Sequence, residues 1–181
     1  NRLGILIDLS HVGDRTTLDA AERSGKPVSC THANARGFYR HVRNKTDDAL
    51  KLVAERGGVI GANAFPPFLP KTFESTLEDY VDAIDDLVER VGIDHVGIGT
   101  DYTQDQPAAF FRWLYAQQGT KFRERPVTYP DPMVHPRGME TPDKLSNVAG
   151  ELLKRGYRAE DVTKVLGGNW LKLFEEVWGP G

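Results

Sequence analysis

The sequence predicts an α/β fold of about four parallel βα units followed by C-terminal helices, which is half of a TIM-type (β/α) barrel. Three observations carry this reading. Four apolar runs, residues 3–12, 27–32, 57–64 and 95–101, have the length and composition of strands. Helical patterns separate them, and parallel neighbours need such crossovers because a short turn cannot reverse the chain between them. Finally, His11, His32 and Asp101 stand at the C-terminal ends of three of these runs, the end at which barrels carry their chemistry.

Each connecting element has its own local cause. The first helix is expected over 16–24 and stops at Gly25-Lys26-Pro27. Thr46 caps the second, where Ala49, Leu50, Leu52 and Val53 form one stripe before Arg56-Gly57-Gly58 ends it. Thr76 caps the third, with Leu77, Tyr80, Val81, Ile84, Leu87 and Val88 at helical spacing up to Gly92. After Asp101 the pattern changes. Residues 104–140 are rich in proline and aromatics, with Phe110, Phe111, Trp113 and Tyr115 in a short helix. A connection this long has a use: a packed lid, an interface, or contact with substrate. Helices resume over 141–155 and 159–166; Gly167-Gly168 breaks the run, and Asn169 is expected to cap a last helix through Val177.

Bulk properties exclude several classes. With 181 residues, 39% hydrophobic and 27% charged, the chain suits one globular unit. A net charge of −3 without a basic tract leaves no electrostatic footprint for nucleic acid, which is excluded as the main partner. A single cysteine, Cys30, rules out an intrachain disulfide and a CxxC metal site, and reads as a small buried hydrophobe beneath His32. No apolar stretch approaches the roughly 18–20 residues of a spanning helix, and no targeting signal is seen, so the cytoplasm is the expected compartment.

The strand ends carry the chemistry. Neutral imidazole is a common zinc ligand, and two converging rings make half a site, although either histidine alone would read as a satisfied loop or core residue. Asp101 could bridge, orient, or take a proton from metal-activated water. Strict alternation puts Ile5, Ile7, Leu9 and His11 on one face and Asp8 on the other, where Asp8 anchors backbone rather than ligates. His95, Gly97, Gly99 and Asp101 share a face, and the two glycines are expected to leave open space under the carboxylate. His95 lies at the opposite strand end, outside the site. His41 and His135 read as solvated loop residues, and Arg36, Arg40 and Arg43 as a solvated basic face.

Six blocks occur in order: Asp8-Leu9-Ser10-His11-Val12, Thr31-His32-Ala33-Asn34, Arg43-Asn44, Gly57-Gly58-Val59-Ile60, Asp94 through Asp101 (DHVGIGTD), and Leu166-Gly167-Gly168-Asn169. This succession resembles the membrane (renal) dipeptidase family of zinc metallopeptidases, within the amidohydrolase-type barrels. The resemblance implies the C-terminal half of a single barrel whose complete site holds two zinc ions. It implies that His11 and His32 ligate one of them, that Asp101 handles the proton of the metal-bridging hydroxide, and that Arg43 holds the terminal carboxylate of a dipeptide. Arg36 and Arg40 compete for that last role, and only the Arg-Asn motif favours Arg43. The family's His-x-Asp pair and bridging glutamate have no counterpart in this sequence, and Gly-Thr-Asp-Tyr-Thr-Gln departs from its commoner Asp-Phe-Asp-Gly continuation. The segment alone is therefore expected to be inactive and to need the N-terminal half of the barrel, or a second copy in a homodimer, to cover its open sheet. Hydrolysis of N-acyl amino acids or lactams, and a non-catalytic half-barrel acting as a binding or scaffold protein, are the alternative functions.

Overall fold

The computed structural model describes residues 2–118, 120 and 128–179. Two strands, β1 (Ile60–Asn63) and β2 (Val96–Gly99), pair in parallel, with Ile60 opposite Val96 and Asn63 opposite Gly99. The first two predicted strands are present as shorter contacts, parallel bridges from Asp8 to Ser29 and from Cys30 to Ile60. Leu9 N donates to Ser29 O at 2.7 Å, Ser29 N to Ile7 O at 3.0 Å, Cys30 N to Val59 O at 3.1 Å and Gly61 N to Cys30 O at 2.8 Å. Four segments thus lie side by side, parallel and in chain order. The pairing of the first two stops short because Thr31 N, the next ladder donor along, turns to the Asp8 carboxylate instead of a ladder carbonyl.

The helices are α1 (Asp14–Arg23), α2 (Asp47–Glu55), α3 (Leu77–Val91), α4 (Ala108–Tyr115), α5 (Ser146–Lys154), α6 (Ala159–Thr163) and α7 (Asn169–Trp178). Both threonine caps are made. Thr46 Oγ1 accepts from Ala49 N, and Thr76 forms a reciprocal capping box with Asp79. The α2 and α3 stripes face the strands in one core, where Leu50, Val53, Ile84 and Leu87 pack with Val28, Cys30, Ile60, Ala62 and Val96. Tyr80, fully buried, donates to Ala62 O at 3.0 Å. Among the described residues no helix is long and apolar enough to cross a membrane.

Three sequence expectations are corrected here. Asn169 does not cap α7: Gly168 precedes that helix, and Asn169 Nδ2 donates instead to Ile93 O at 2.8 Å and Val96 O at 2.7 Å, tying α7 to the start of β2. The glycines of β2 leave no open floor. A Cβ on Gly97 would stand 2.4 Å from Trp170 Nε1 and one on Gly99 2.1 Å from the Thr31 carbonyl oxygen, so glycine serves close approach. Ile5, Ile7 and Leu9, placed on one face by alternation, do not share one environment. Leu9 is 2% exposed in the helix-side core, whereas Ile5 is 62% exposed, because the chain gains a neighbouring segment only from Ile7 onward.

Candidate functional site

Asp8 builds the site from behind. Its carboxylate accepts from Ser10 N at 3.0 Å, Ser10 Oγ at 2.6 Å, Thr31 N at 2.9 Å and Thr31 Oγ1 at 2.9 Å. Ser10 Oγ in turn accepts from His32 N at 3.0 Å. The two strand ends are stitched together, and the residues that follow the stitches are the histidines. Desolvation opposes the Asp8 charge, yet the bonds from Ser10 and Thr31 prevail and hold its carboxyl below the ordinary range.

His11 Nε2 and His32 Nε2 stand 2.8 Å apart, with ring centroids at 4.9 Å. The surrounding bonds assign their faces. The Thr31 hydroxyl spends its proton on Asp8, so its 2.9 Å contact with His32 Nδ1 is accepted from an Nδ1–H, leaving a lone pair on His32 Nε2. Arg43 Nη2, which can only donate, lies 3.1 Å from His11 Nε2 and assigns a lone pair there as well. Two lone pairs therefore converge, an arrangement that a cation between them relieves. Their separation is within about half an ångström of that between two nitrogens on one tetrahedral zinc. Desolvation, Arg43 and His32 all push the His11 pKa down, which favours the neutral, ligating form. Asp101 Oδ2 lies 4.0 Å from His32 Nε2, its backbone in the left-handed region at φ 54°. Among the described residues no group of three or more His, Cys, Asp or Glu is gathered tightly enough to hold a metal.

The structure separates the three arginines. Arg36 is committed to a bidentate pair with Asp14 at 2.7 and 2.8 Å and to Asn44 O. Arg40 is exposed and does not line the cleft that His11, Arg43 and Asp101 share. Arg43 reaches it: Nη1 donates to Ser10 O, and the guanidinium lies over the Phe68 ring, 5.4 Å from its centroid. His41 is not free in solvent, since its Nδ1 accepts from Arg43 N at 3.1 Å and its ring packs on Phe68. Lys45, 2% exposed, was not singled out by its sequence context. Its Nζ donates to Val12 O at 2.7 Å and Thr17 Oγ1 at 3.2 Å, joining the loop after His11 to the arginine loop.

His11, Arg43, Asp101 and Thr103 form the polar edge of a cleft of about 490 Å³. Phe65, Phe68, Phe111, Tyr115 and Tyr129 line the same cleft, with the two tyrosine hydroxyls 3.0 Å apart. Phe111, Tyr115 and Tyr129 of the proline-rich stretch thus line the site, while residues 119 and 121–127 of that stretch lie outside the described residues. His135 is buried, contrary to the solvated loop reading, because residues 133–139 pack under the loop that follows Asp101. His95 binds Gly58 O through Nδ1 at the far strand end. Burial pushes the Cys30 thiol up to about 12, which leaves it inert.

Comparison with known proteins sets this geometry in context. Residues 1–111 match the family model described as membrane dipeptidase, peptidase family M19. Dipeptidase tcpJ of Claviceps purpurea is 30% identical over 178 residues, covering 98% of this chain and 36% of that protein. The uncharacterized dipeptidase C965.12 of Schizosaccharomyces pombe is 29% identical, covering 98% of this chain and 41% of its own length. Among solved structures, an amidohydrolase from Pseudomonas aeruginosa superposes with a TM-score of 0.91 at 41% identity, covering 99% of this chain and 54% of that one. A metallo peptidase from Rhodobacter sphaeroides, liganded with a phosphinate mimic of L-Ala-D-Ala, gives 0.76 at 27% identity, over 98% and 44% of the two chains. The chain spans roughly a third to somewhat over half the length of these proteins.

Proposed function

Because the chain belongs to the membrane dipeptidase family of metallopeptidases, we propose that its cleft hydrolyses the peptide bond of dipeptides in a complete site holding two zinc ions, one of them on His11 and His32. The observation that carries this reading is the convergence of two imidazole lone pairs 2.8 Å apart beside an arginine and a carboxylate. When bound, zinc supplies water acidified towards neutral pH and a Lewis acid for the peptide carbonyl. The remaining steps belong to the chain. Asp8, through Thr31, holds His32 in its ligating tautomer. Arg43 receives the substrate's terminal carboxylate on a planar fork steadied by Phe68. Asp101 takes the proton of the attacking water and returns it to the leaving amine. Carboxylate and amine both belong to the C-terminal residue, so the aromatic residues that line the cleft with Arg43 and Asp101 are available to that residue's side chain.

Arg43 also supplies the test. In the complete barrel, Arg43→Ala is expected to raise KM at least roughly tenfold for a dipeptide with a free carboxylate, while an amidated analogue changes little, because only the former offers a bidentate partner. Equal losses on both substrates would overturn the anchor. An N-acyl amino acid offers the same carboxylate, so faster turnover of N-acyl amino acids than of dipeptides would assign the amidohydrolase alternative.

We further propose that these units act as part of one larger barrel, with the N-terminal half of that barrel as the neighbour of the open sheet. Leu3 is 74% exposed, and Ile5, Leu171 and Trp178 are also open to water, large apolar side chains that a neighbouring element would cover. The 181-residue chain by itself is expected to self-associate and to bind an exposed-surface dye. A monodisperse, cooperatively folding monomer without dye binding, measured by light scattering, would overturn this.

A further inference from the structure

His135 stands outside the constellation above, yet it is bonded to the loop that carries Asp101. It is 5% exposed, and its Nε2 accepts the backbone N–H of Thr103 at 3.0 Å. Its ring meets Tyr102 edge to face, with centroids 4.8 Å apart and planes at 85°. Tyr102 Oη donates to Met139 O, and Met133 N donates to Gln106 O at 3.0 Å, so residues 133–139 hold the loop at three points. That segment is itself fixed to the start of α3. Arg137 N donates to Ser75 O at 2.9 Å, and Leu77 N donates to Arg137 O at 2.8 Å.

This clamp has something to hold. Asp101 occupies the left-handed region, where a side chain costs energy that its surroundings must supply. Because an amide N–H donates to Nε2, the histidine proton must sit on Nδ1, a buried atom with no hydrogen-bond partner among the described residues. An orphaned donor is a standing cost, and an apolar residue of similar shape would avoid it. Burial also pushes the His135 pKa down, consistent with a neutral acceptor.

We propose that His135 is a positioning residue for the peptidase reaction: by accepting the Thr103 amide it fixes the Asp101 loop and so the Asp101 carboxylate beside His32. This rests on the dipeptidase reading for its catalytic consequence, but not for its structural one. The test uses two replacements in the complete barrel. His135→Phe keeps an aromatic ring against Tyr102 and removes the acceptor; His135→Gln restores an acceptor through its side-chain carbonyl. His135→Phe is expected to lower kcat roughly 10- to 100-fold with KM and zinc content little changed, since misplacement of a catalytic group by about an ångström costs that much. His135→Gln is expected to recover most of the loss. Hydrogen exchange at the Thr103 amide, read without any substrate, should quicken in the phenylalanine variant and slow again in the glutamine variant. A folded His135→Phe enzyme with kcat within about twofold of wild type would overturn the positioning role. So would a glutamine variant as impaired as the phenylalanine one, or a Thr103 amide that exchanges equally fast in all three. Absence of dipeptide turnover in the wild-type barrel would overturn the functional reading, and the catalytic half of this inference with it, while the Thr103 measurement would still judge the hydrogen bond.

Discussion

Replacing His11 or His32 by alanine in the complete barrel is expected to remove one equivalent of zinc and nearly all turnover. Each imidazole presents its Nε2 lone pair to the other across 2.8 Å, and the donor that His11 Nε2 also meets, Arg43 Nη2, lies farther off at 3.1 Å. The loss should exceed the roughly 10- to 100-fold penalty that follows when only a ligand's outer partner is removed. That smaller penalty has its own test in the same experiment. Thr31→Val keeps the shape of the side chain but deletes the hydroxyl that orders His32, and should lower zinc affinity by about that amount while leaving a measurable site. Elemental analysis decides the matter: two retained zincs in either alanine variant would remove that histidine from the ligand set.

Much of this arrangement is legible in the sequence because it depends on neighbours a few residues apart. The caps at Thr46 and Thr76, the stripes of α2 and α3 and the placing of His11, His32 and Asp101 at strand ends all follow from local spacing. Asp8 as an anchor also follows, from alternation alone. The failures share a different cause, which is contact across long stretches of chain. Gly97 looks like empty space until Trp170, 73 positions later, fills it. His135 looks solvated because nothing nearby in sequence announces that Tyr102 and Thr103 will cover it. Lys45 sits in a polar loop, and only the approach of Val12 and Thr17 gives its ammonium group a buried seat. The shortened first strands come from competition: the Asp8 carboxylate takes the Thr31 amide from the ladder, which a hydrophobic pattern does not register. The arginine question shows both sides, since the motif favoured Arg43 but only the Asp14 pair disposes of Arg36.

Asp101→Asn is expected to lower kcat by roughly 10²–10⁴ with zinc retained and KM nearly unchanged, the range that follows loss of a general acid/base. The choice of asparagine matters because of the backbone. At φ 54° most residues would strain the loop, and Asp101→Ala would mix that strain with lost chemistry. Asparagine tolerates the left-handed region at least as well as aspartate and matches its shape, so the loop that Tyr102 and Thr103 hold in place should persist. What disappears is the negative charge and the ability to carry a proton from water to the leaving amine. The carboxylate stands 4.0 Å from His32 Nε2, beyond hydrogen-bond reach, and close enough to serve a water held beside that ring. Near-normal turnover in the folded variant would remove Asp101 from the proton path. Loss of a zinc equivalent would instead make it a ligand, and the reading of His11 and His32 as this chain's contribution to the metal would have to widen to include it.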